Sequence, residues 1–209
     1  MSLAVALARG CADLGLQVPD PVQSKLIAYI ELIAKWNRIY NLTAVREPAR
    51  MVASHLLDCL AMMPQLDEVG TVLDVGSGAG LPGIPLALMW PRARVTLLDS
   101  SHKKATFLRQ AAIELALGNA DVVCERIETW QAPRPFDVVV SRAFSDLGEF
   151  ARIADRLCAP AGTMAAMKGV YPHEELAQLP PGIGLKRVVS LKVPGLRAER
   201  HLVLLEHVH

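Results

Sequence analysis

The sequence predicts an α/β fold, with an open, mostly parallel sheet, an antiparallel strand at its C-terminal end and an N-terminal helical cap. Three observations predict it. From residue 71, short β-branched runs alternate with helical patterns, as parallel strands joined by crossover helices do. The first run, Val72–Val75, passes straight into a glycine-rich turn ending at Gly83. Residues 1–65 show helical periodicity and no such turn. The expected arrangement is Rossmann-like, with residues 1–65 as the cap and residues 66–209 as the sheet domain.

Bulk properties bound the rest. A chain of 209 residues suits one α/β domain with an appendage, and 52% apolar content allows a large core. Net charge is only +1, so any nucleic-acid contact must come from local patches. Cys11, Cys59, Cys124 and Cys158 are scattered, without metal-ligand spacing, which argues against a zinc site and a disulfide framework. No apolar run approaches the roughly 20 residues that span a bilayer. The apolar start Met1–Ala8 lacks the basic residues of a secretion signal. A soluble, cytoplasmic protein is expected, monomeric, with no metal and no membrane partner.

Taken in order, residues 3–16 read as a short helix ending near Gly15. Pro19-Asp20-Pro21 opens a stronger one, with Leu26, Ile30, Ile33 and Trp36 at helical spacing. Trp36-Asn37-Arg38-Ile39-Tyr40-Asn41-Leu42-Thr43 leads into a turn, where Asn and Thr supply side chain–backbone bonds. Glu47-Pro48 starts a third helix, which Pro64 ends. The second strand, 93–99, ends on Asp99, and Ser100 or Ser101 can cap the helix that follows, stopped at Gly118-Asn119. Residues 121–124, 136–140 and 161–167 are the third to fifth strands. Residues 188–193 and 200–205 form a two-stranded element around Pro194-Gly195.

The glycine turn carries the first functional reading. Glycine lets backbone turn at positive φ, or lets a ligand lie against it with no Cβ between. The helix behind offers unpaired N–H groups and a positive dipole end. A nucleotide-like cofactor is expected there. Gly78-x-Gly80-x-x-Gly83 fits a dinucleotide fingerprint. Asp74-x-Gly76-x-Gly78-x-Gly80, directly after the strand, resembles the first motif of S-adenosylmethionine (SAM)-dependent methyltransferases. Either reading uses Asp99, an acid roughly 20 residues on that can accept both ribose hydroxyls. Ile127 is placed to cover an adenine face, and Glu128 to meet its exocyclic amine. Arg142 follows the fourth strand, beside the reversal point where open α/β sheets bind ligands.

Missing groups narrow the chemistry. No cysteine stands where a thiolate could attack a pyrimidine. The turn after the fourth strand is Ser141-Arg142-Ala143-Phe144, unlike the Asp/Asn-Pro-Pro-aromatic turn of exocyclic-amine methylation. A ring nitrogen with a free lone pair, such as guanine N7, needs neither; it needs alignment with the methyl and exclusion of water.

A family resemblance joins these features. Trp36-Asn37-x-x-Tyr40-Asn41-Leu42-Thr43, His55-Leu56-Leu57-Asp58, Leu73–Pro85, Leu98-Asp99-Ser100, Ser141-Arg142-Ala143, Lys168-Gly169 and Glu199–Val203 occur in the order found in the RsmG (GidB) family. These are bacterial enzymes that methylate guanine N7 in 16S ribosomal RNA, and the resemblance covers nearly the whole chain. It implies a class I SAM-dependent methyltransferase sheet, with S-adenosyl-L-homocysteine as product. It also implies SAM contacts at Gly76, Leu81, Ile127, Glu128 and Arg142, with Asp99 near the ribose. The residues themselves add Gly78 and Gly80 as backbone approach points and leave Gly83 for helix packing. Arg142 is the expected catalytic residue. Lys103, Lys104, Arg109, Lys168, Arg200 and His201 are expected to form a local basic rim for phosphates of 16S RNA or the small ribosomal subunit. Two alternatives stay open, a nicotinamide-dependent oxidoreductase and a non-catalytic ribosome-binding protein.

Overall fold

The computed structural model describes residues 2–142, 144 and 146–208; Ala143 of the Ser-Arg-Ala motif lies outside them. Seven strands form one sheet in the order β3-β2-β1-β4-β5-β7-β6. They are β1 (Thr71–Val75), β2 (Arg94–Leu98), β3 (Ala120–Val123), β4 (Phe136–Ser141), β5 (Cys158–Lys168), β6 (Ile183–Ser190) and β7 (His201–His207). β1 to β5 pair parallel, and β7 runs antiparallel to both β5 and β6. The strand order reverses between β1 and β4, so the loops after those strands open a crevice at their carboxyl ends.

The side-chain period of two sends alternate residues to opposite faces. Val138 and Val140 of β4 and Leu202 and Leu204 of β7 enter one core; Val139, Val203 and Leu205 enter the other. The first core also holds Leu7 of α1 (Leu3–Asp13) and Leu26, Tyr29, Ile30 and Ile33 of α2 (Asp20–Tyr40). The N-terminal helices therefore share one continuous core with the sheet and with the crossover helices behind it. The second core is closed by Phe150, Ala151 and Ala154 of α7 (Leu147–Asp155).

Several boundaries differ from expectation. The third helix is three pieces: α3 (Pro48–Met51), a π-helical segment (Val52–Leu57) and α4 (Asp58–Leu60). After α5 (Gly83–Met89) and β2 comes α6 (His102–Glu114). It ends before Gly118, because Ala116 takes the left-handed turn at φ +49. Asn119 instead donates to the carbonyls of Ala87, Trp90 and Ala93, tying β3's entry to α5. Ser101 occupies the N-cap of α6 without a side-chain cap bond. β6 begins five residues earlier than residue 188, with a bulge between Leu185 and Arg187 that shifts the register.

Candidate active site

The crevice floor is the turn after β1. Gly76, Gly78 and Gly80 all have positive φ, at 68°, 60° and 87°. L side chains resist that region, which is why this turn is built from glycine. Each glycine faces something different. A Cβ on Gly78 would meet nothing nearer than the Gly76 carbonyl at 3.7 Å, so Gly78 presents bare backbone to open space. A Cβ on Gly80 would lie 2.5 Å from Ile84 Cδ1 and 3.0 Å from the Tyr29 hydroxyl, so Gly80 faces the core. A Cβ on Gly83 would meet Leu97 Cδ2 at 2.2 Å, which fits its expected packing role.

Two carboxylates brace the turn. Asp74 Oδ2 accepts from the Gly83 N–H at 2.9 Å, and complete burial raises its pKa to about 7. Asp99 Oδ2 accepts from the Gly78 N–H at 2.9 Å, and Oδ1 from the Ser101 N–H at 2.9 Å. The Tyr29 hydroxyl donates to the Ala79 carbonyl, locking the turn to α2.

The crevice has two compartments, and Gly76 lines both. One, of about 240 Å³, is bounded by Asp99, Lys104, Ile127, Glu128 and Phe144. Ile127 is held in place because the Arg156 guanidinium donates to its carbonyl and, at 3.0 Å, to that of Trp130. The other compartment, of about 150 Å³, is bounded by Leu42, Thr43, Ser77, Gly78, Leu81 and Arg142. The sequence reading missed Leu42 and Thr43 as wall residues. Asn37 puts them there: its Nδ2 donates to the Thr43 carbonyl at 2.9 Å, and its Oδ1 accepts from the Thr43 N–H at 2.9 Å. Thr43 Oγ1 in turn lies 2.9 Å from His55 Nε2. The Asn41-Leu42-Thr43 run, both a turn and part of the family motif, is the signal the sequence offers for this wall.

Arg142 is anchored from the N-terminal helices. Its Nη1 donates to Asp58 Oδ2 at 3.1 Å and to the Ser54 carbonyl at 3.2 Å. Asp58 is 2% exposed, and its Oδ1 accepts from Arg200 Nε at 3.0 Å. Burial raises the Asp58 pKa, opposed by the two guanidinium groups. One buried carboxylate thus ties the end of β4 and the start of β7 to α4. The sequence reading assigned Asp58 no role.

The residues of the expected basic rim come from two places, α6 and the ends of β5 and β7. Lys103 and Arg109 are exposed on α6, with Lys103 Nζ 5.6 Å from the Tyr40 ring centroid. Lys104 turns into the first compartment and pairs with Asp99 at 3.4 Å. Lys168 and His201 face each other across the β5–β7 pair. Lys168 is bonded to Glu175 at 2.8 Å, and His201 is 8% exposed, with its ring against Tyr171. Lys168 and His201 are largely covered, whereas the Lys104 side chain keeps 42% and that of Arg200 26% of its surface exposed beside their ion-pair partners.

No group of His, Cys, Asp and Glu among the described residues suits a metal ion. Burial raises the thiol pKa of Cys11, Cys59 and Cys158, while Cys124 sits beside His102 rather than in the second compartment.

Comparison with known proteins decides between the two glycine readings. The family described as GidB, rRNA small subunit methyltransferase G, matches residues 22–203. The chain belongs to the GidB family. A relative from Laribacter hongkongensis, "Ribosomal RNA small subunit methyltransferase G", is 56% identical over 98% of this chain and 99% of its own. One of the same name from Nitrosospira multiformis is 53% identical over 99% and 98%. Solved structures share the fold at lower identity. A SAM-dependent methyltransferase from Aquifex aeolicus aligns with TM-score 0.58 and 20% identity, over 82% of this chain and 97% of that one. The glycopeptide N-methyltransferase MtfA, complexed with S-adenosyl-L-homocysteine, aligns with TM-score 0.64 and 12% identity, over 74% and 87%. The cofactor of the GidB chain is SAM, and its sheet is the methyltransferase sheet.

Proposed function

We propose that the protein transfers the methyl group of SAM to N7 of a guanosine in 16S ribosomal RNA. The coarser part of this function, SAM-dependent methylation of small-subunit ribosomal RNA, comes with the family. The position on the base is our reading. The observation that carries it is the second compartment. It is lined by backbone, Leu42, Thr43, Ser77, Leu81 and the fixed Arg142, and among the described residues that line it there is no thiol or carboxylate side chain. A nucleophile that must lose a proton, or that needs covalent activation, would find no partner there. Guanine N7 has a lone pair and no proton, so positioning suffices.

The residues present fit SAM. Gly76 and Gly78 give a floor without Cβ atoms, and Asp99 stands at the end of β2 where a ribose diol is met. In this reading Gly76, Gly78, Asp99, Ile127 and Glu128 hold the adenosine half. Leu81 and Arg142 flank the methionine half, and Gly80 supports the floor from the core side. When bound, SAM supplies an electrophilic methyl group and leaves as S-adenosyl-L-homocysteine. Arg142 is the catalytic residue: its guanidinium, held by Asp58 and the Ser54 carbonyl, orients the incoming guanine edge towards the methyl. Leu42 and Leu81 exclude water from the line of attack. Residues 1–65 supply Asn37, Thr43 and Asp58 to the reacting end, and residues 66–209 supply the cofactor floor. The protein works as a cytoplasmic monomer on the RNA or the small subunit, without metal or membrane.

A tritiated-methyl assay on small-subunit RNA, with nucleoside analysis of the product, tests the reading. Label in N7-methylguanosine is expected. Label elsewhere contradicts the proposed position, and RNA binding without any transfer contradicts an enzyme.

A further inference from the structure

We propose that a groove between α1, the π-helical segment and the connection from β6 to β7 seats the backbone of the substrate RNA. Arg9, Arg50 and Arg197 hold phosphates beside the target nucleotide. The proposal rests on the ribosomal-RNA reading and adds where the strand lies.

The groove, of about 730 Å³, is larger than either compartment of the cofactor crevice. Its three arginines come from separate elements, and Asp13 is the single acid among its lining residues. All three are exposed and form no ion pair among the described residues. A guanidinium presents paired donors that match phosphate oxygens, and three around one concavity define a track rather than scattered charge. The connection itself, residues 191–200, carries Lys192, Arg197 and Arg200 against Glu199 alone.

Position separates this surface from the exposed cations of α6. Ser54 lines the groove, and its carbonyl accepts from Arg142, which lines the reacting end of the crevice. One residue thus divides the arginine groove from the site of methyl transfer. The α6 cations flank the other end, where Lys104 meets Asp99 in the first compartment. A strand in the groove can turn one base past Ser54 to Arg142, whereas a strand on α6 approaches the adenosine end.

The walls are fixed before RNA arrives. A Cβ on Gly10 would lie 2.2 Å from Leu57 Cδ1, so α1 packs directly on the π-helical segment. Gly195, at φ +77, brings the connection against Ala53, where its Cβ would lie 3.4 Å from the Ala53 Cβ.

The test compares steady-state methyl transfer to small subunits by wild type and by the triple variant Arg9→Ala, Arg50→Ala, Arg197→Ala over a salt series. SAM affinity is measured alongside by calorimetry. Retained SAM affinity reports an intact fold. The triple variant is expected to raise KM for the RNA substrate about tenfold or more, and to flatten the log–log salt slope by about 2 to 3. Its kcat should stay within about twofold, because the loss is uniform binding. The variant Arg92→Ala, Arg134→Ala, with both exposed arginines just before β2 and β4 at the end of the sheet opposite the crevice, should leave the slope unchanged. An unchanged slope in the triple variant, or an equal loss of slope in the Arg92, Arg134 variant, overturns the groove. Wild-type protein that binds SAM yet methylates no ribosomal RNA would instead overturn the function on which the groove depends.

Discussion

At the scale of single residues, the proposed chemistry turns on Arg142 and the Asp58 that anchors it. A guanidinium on the loop after β4 would sweep a wide arc, and the buried Asp58 carboxylate with the Ser54 carbonyl reduces it to one position. Removing the charge of Asp58 while keeping its shape should therefore cost turnover more than cofactor affinity. Asp58→Asn is expected to lower kcat about 10- to 100-fold, as misplacement of a positioning group does. Arg142→Ala should lower it further. Equal losses in SAM affinity for Asp58→Asn would contradict the positioning role. His55, on the same wall, offers a pH readout. Burial lowers its pKa from 6.5 to about 4. Between those values the unfolded chain binds the proton more readily than the folded one. The stabilisation is thus complete above pH 6.5 and lost as pH falls towards 4, by at most about 3 kcal/mol. Urea unfolding of wild type and His55→Gln should show a stability difference that is constant at neutral pH and moves against wild type in acid. A difference flat with pH would contradict the buried neutral imidazole. The sequence displayed His55 and Asp58 in one run, but nothing local reveals which residues a fold will bury together.

At the scale of elements, the glycine turn divides its labour, and substitutions should separate the parts. Gly78→Ala forces an L residue to φ +60 with no steric contact, so a strain of about 1 kcal/mol is expected. The new methyl group would also stand on the proposed cofactor floor. SAM affinity should fall about tenfold or more, while the melting temperature moves little. Gly83→Ala meets Leu97 and Asp74 in the core, so its loss should appear in thermal stability, at about 1 to 3 kcal/mol. Reversal of this pattern would mean that the floor faces elsewhere. This turn was legible in sequence because glycine spacing encodes backbone conformation directly. The end of α6 was not: Ala116 adopts a left-handed turn that its residue type does not announce. The π-helical segment was equally hidden, since Val52–Leu57 reads as ordinary amphipathic helix. Arg200 and Asp58 pair across 142 residues of chain, so nothing local in the sequence discloses that contact.

At the scale of the whole molecule, alternating patterns predicted the parallel strands, and the structure adds the order that makes a crevice. Because β1 and β4 are neighbours, Gly76 and Arg142 meet, while Asp99 and Ile127 close the other side. The helices of residues 1–65 share the sheet's core, so cofactor binding should stabilise the chain as one cooperative unit. SAM or S-adenosyl-L-homocysteine is expected to raise the melting temperature, and NADH is not; a shift with NADH alone would revive the dinucleotide reading. The central claim, methylation of guanine N7 in 16S RNA, is met most directly by mass-spectrometric mapping of 16S RNA from cells with and without the gene. One N7-methylguanosine should disappear in its absence, return with the wild-type chain and stay absent with Arg142→Ala. An unchanged set of N7-methylguanosines would contradict the account.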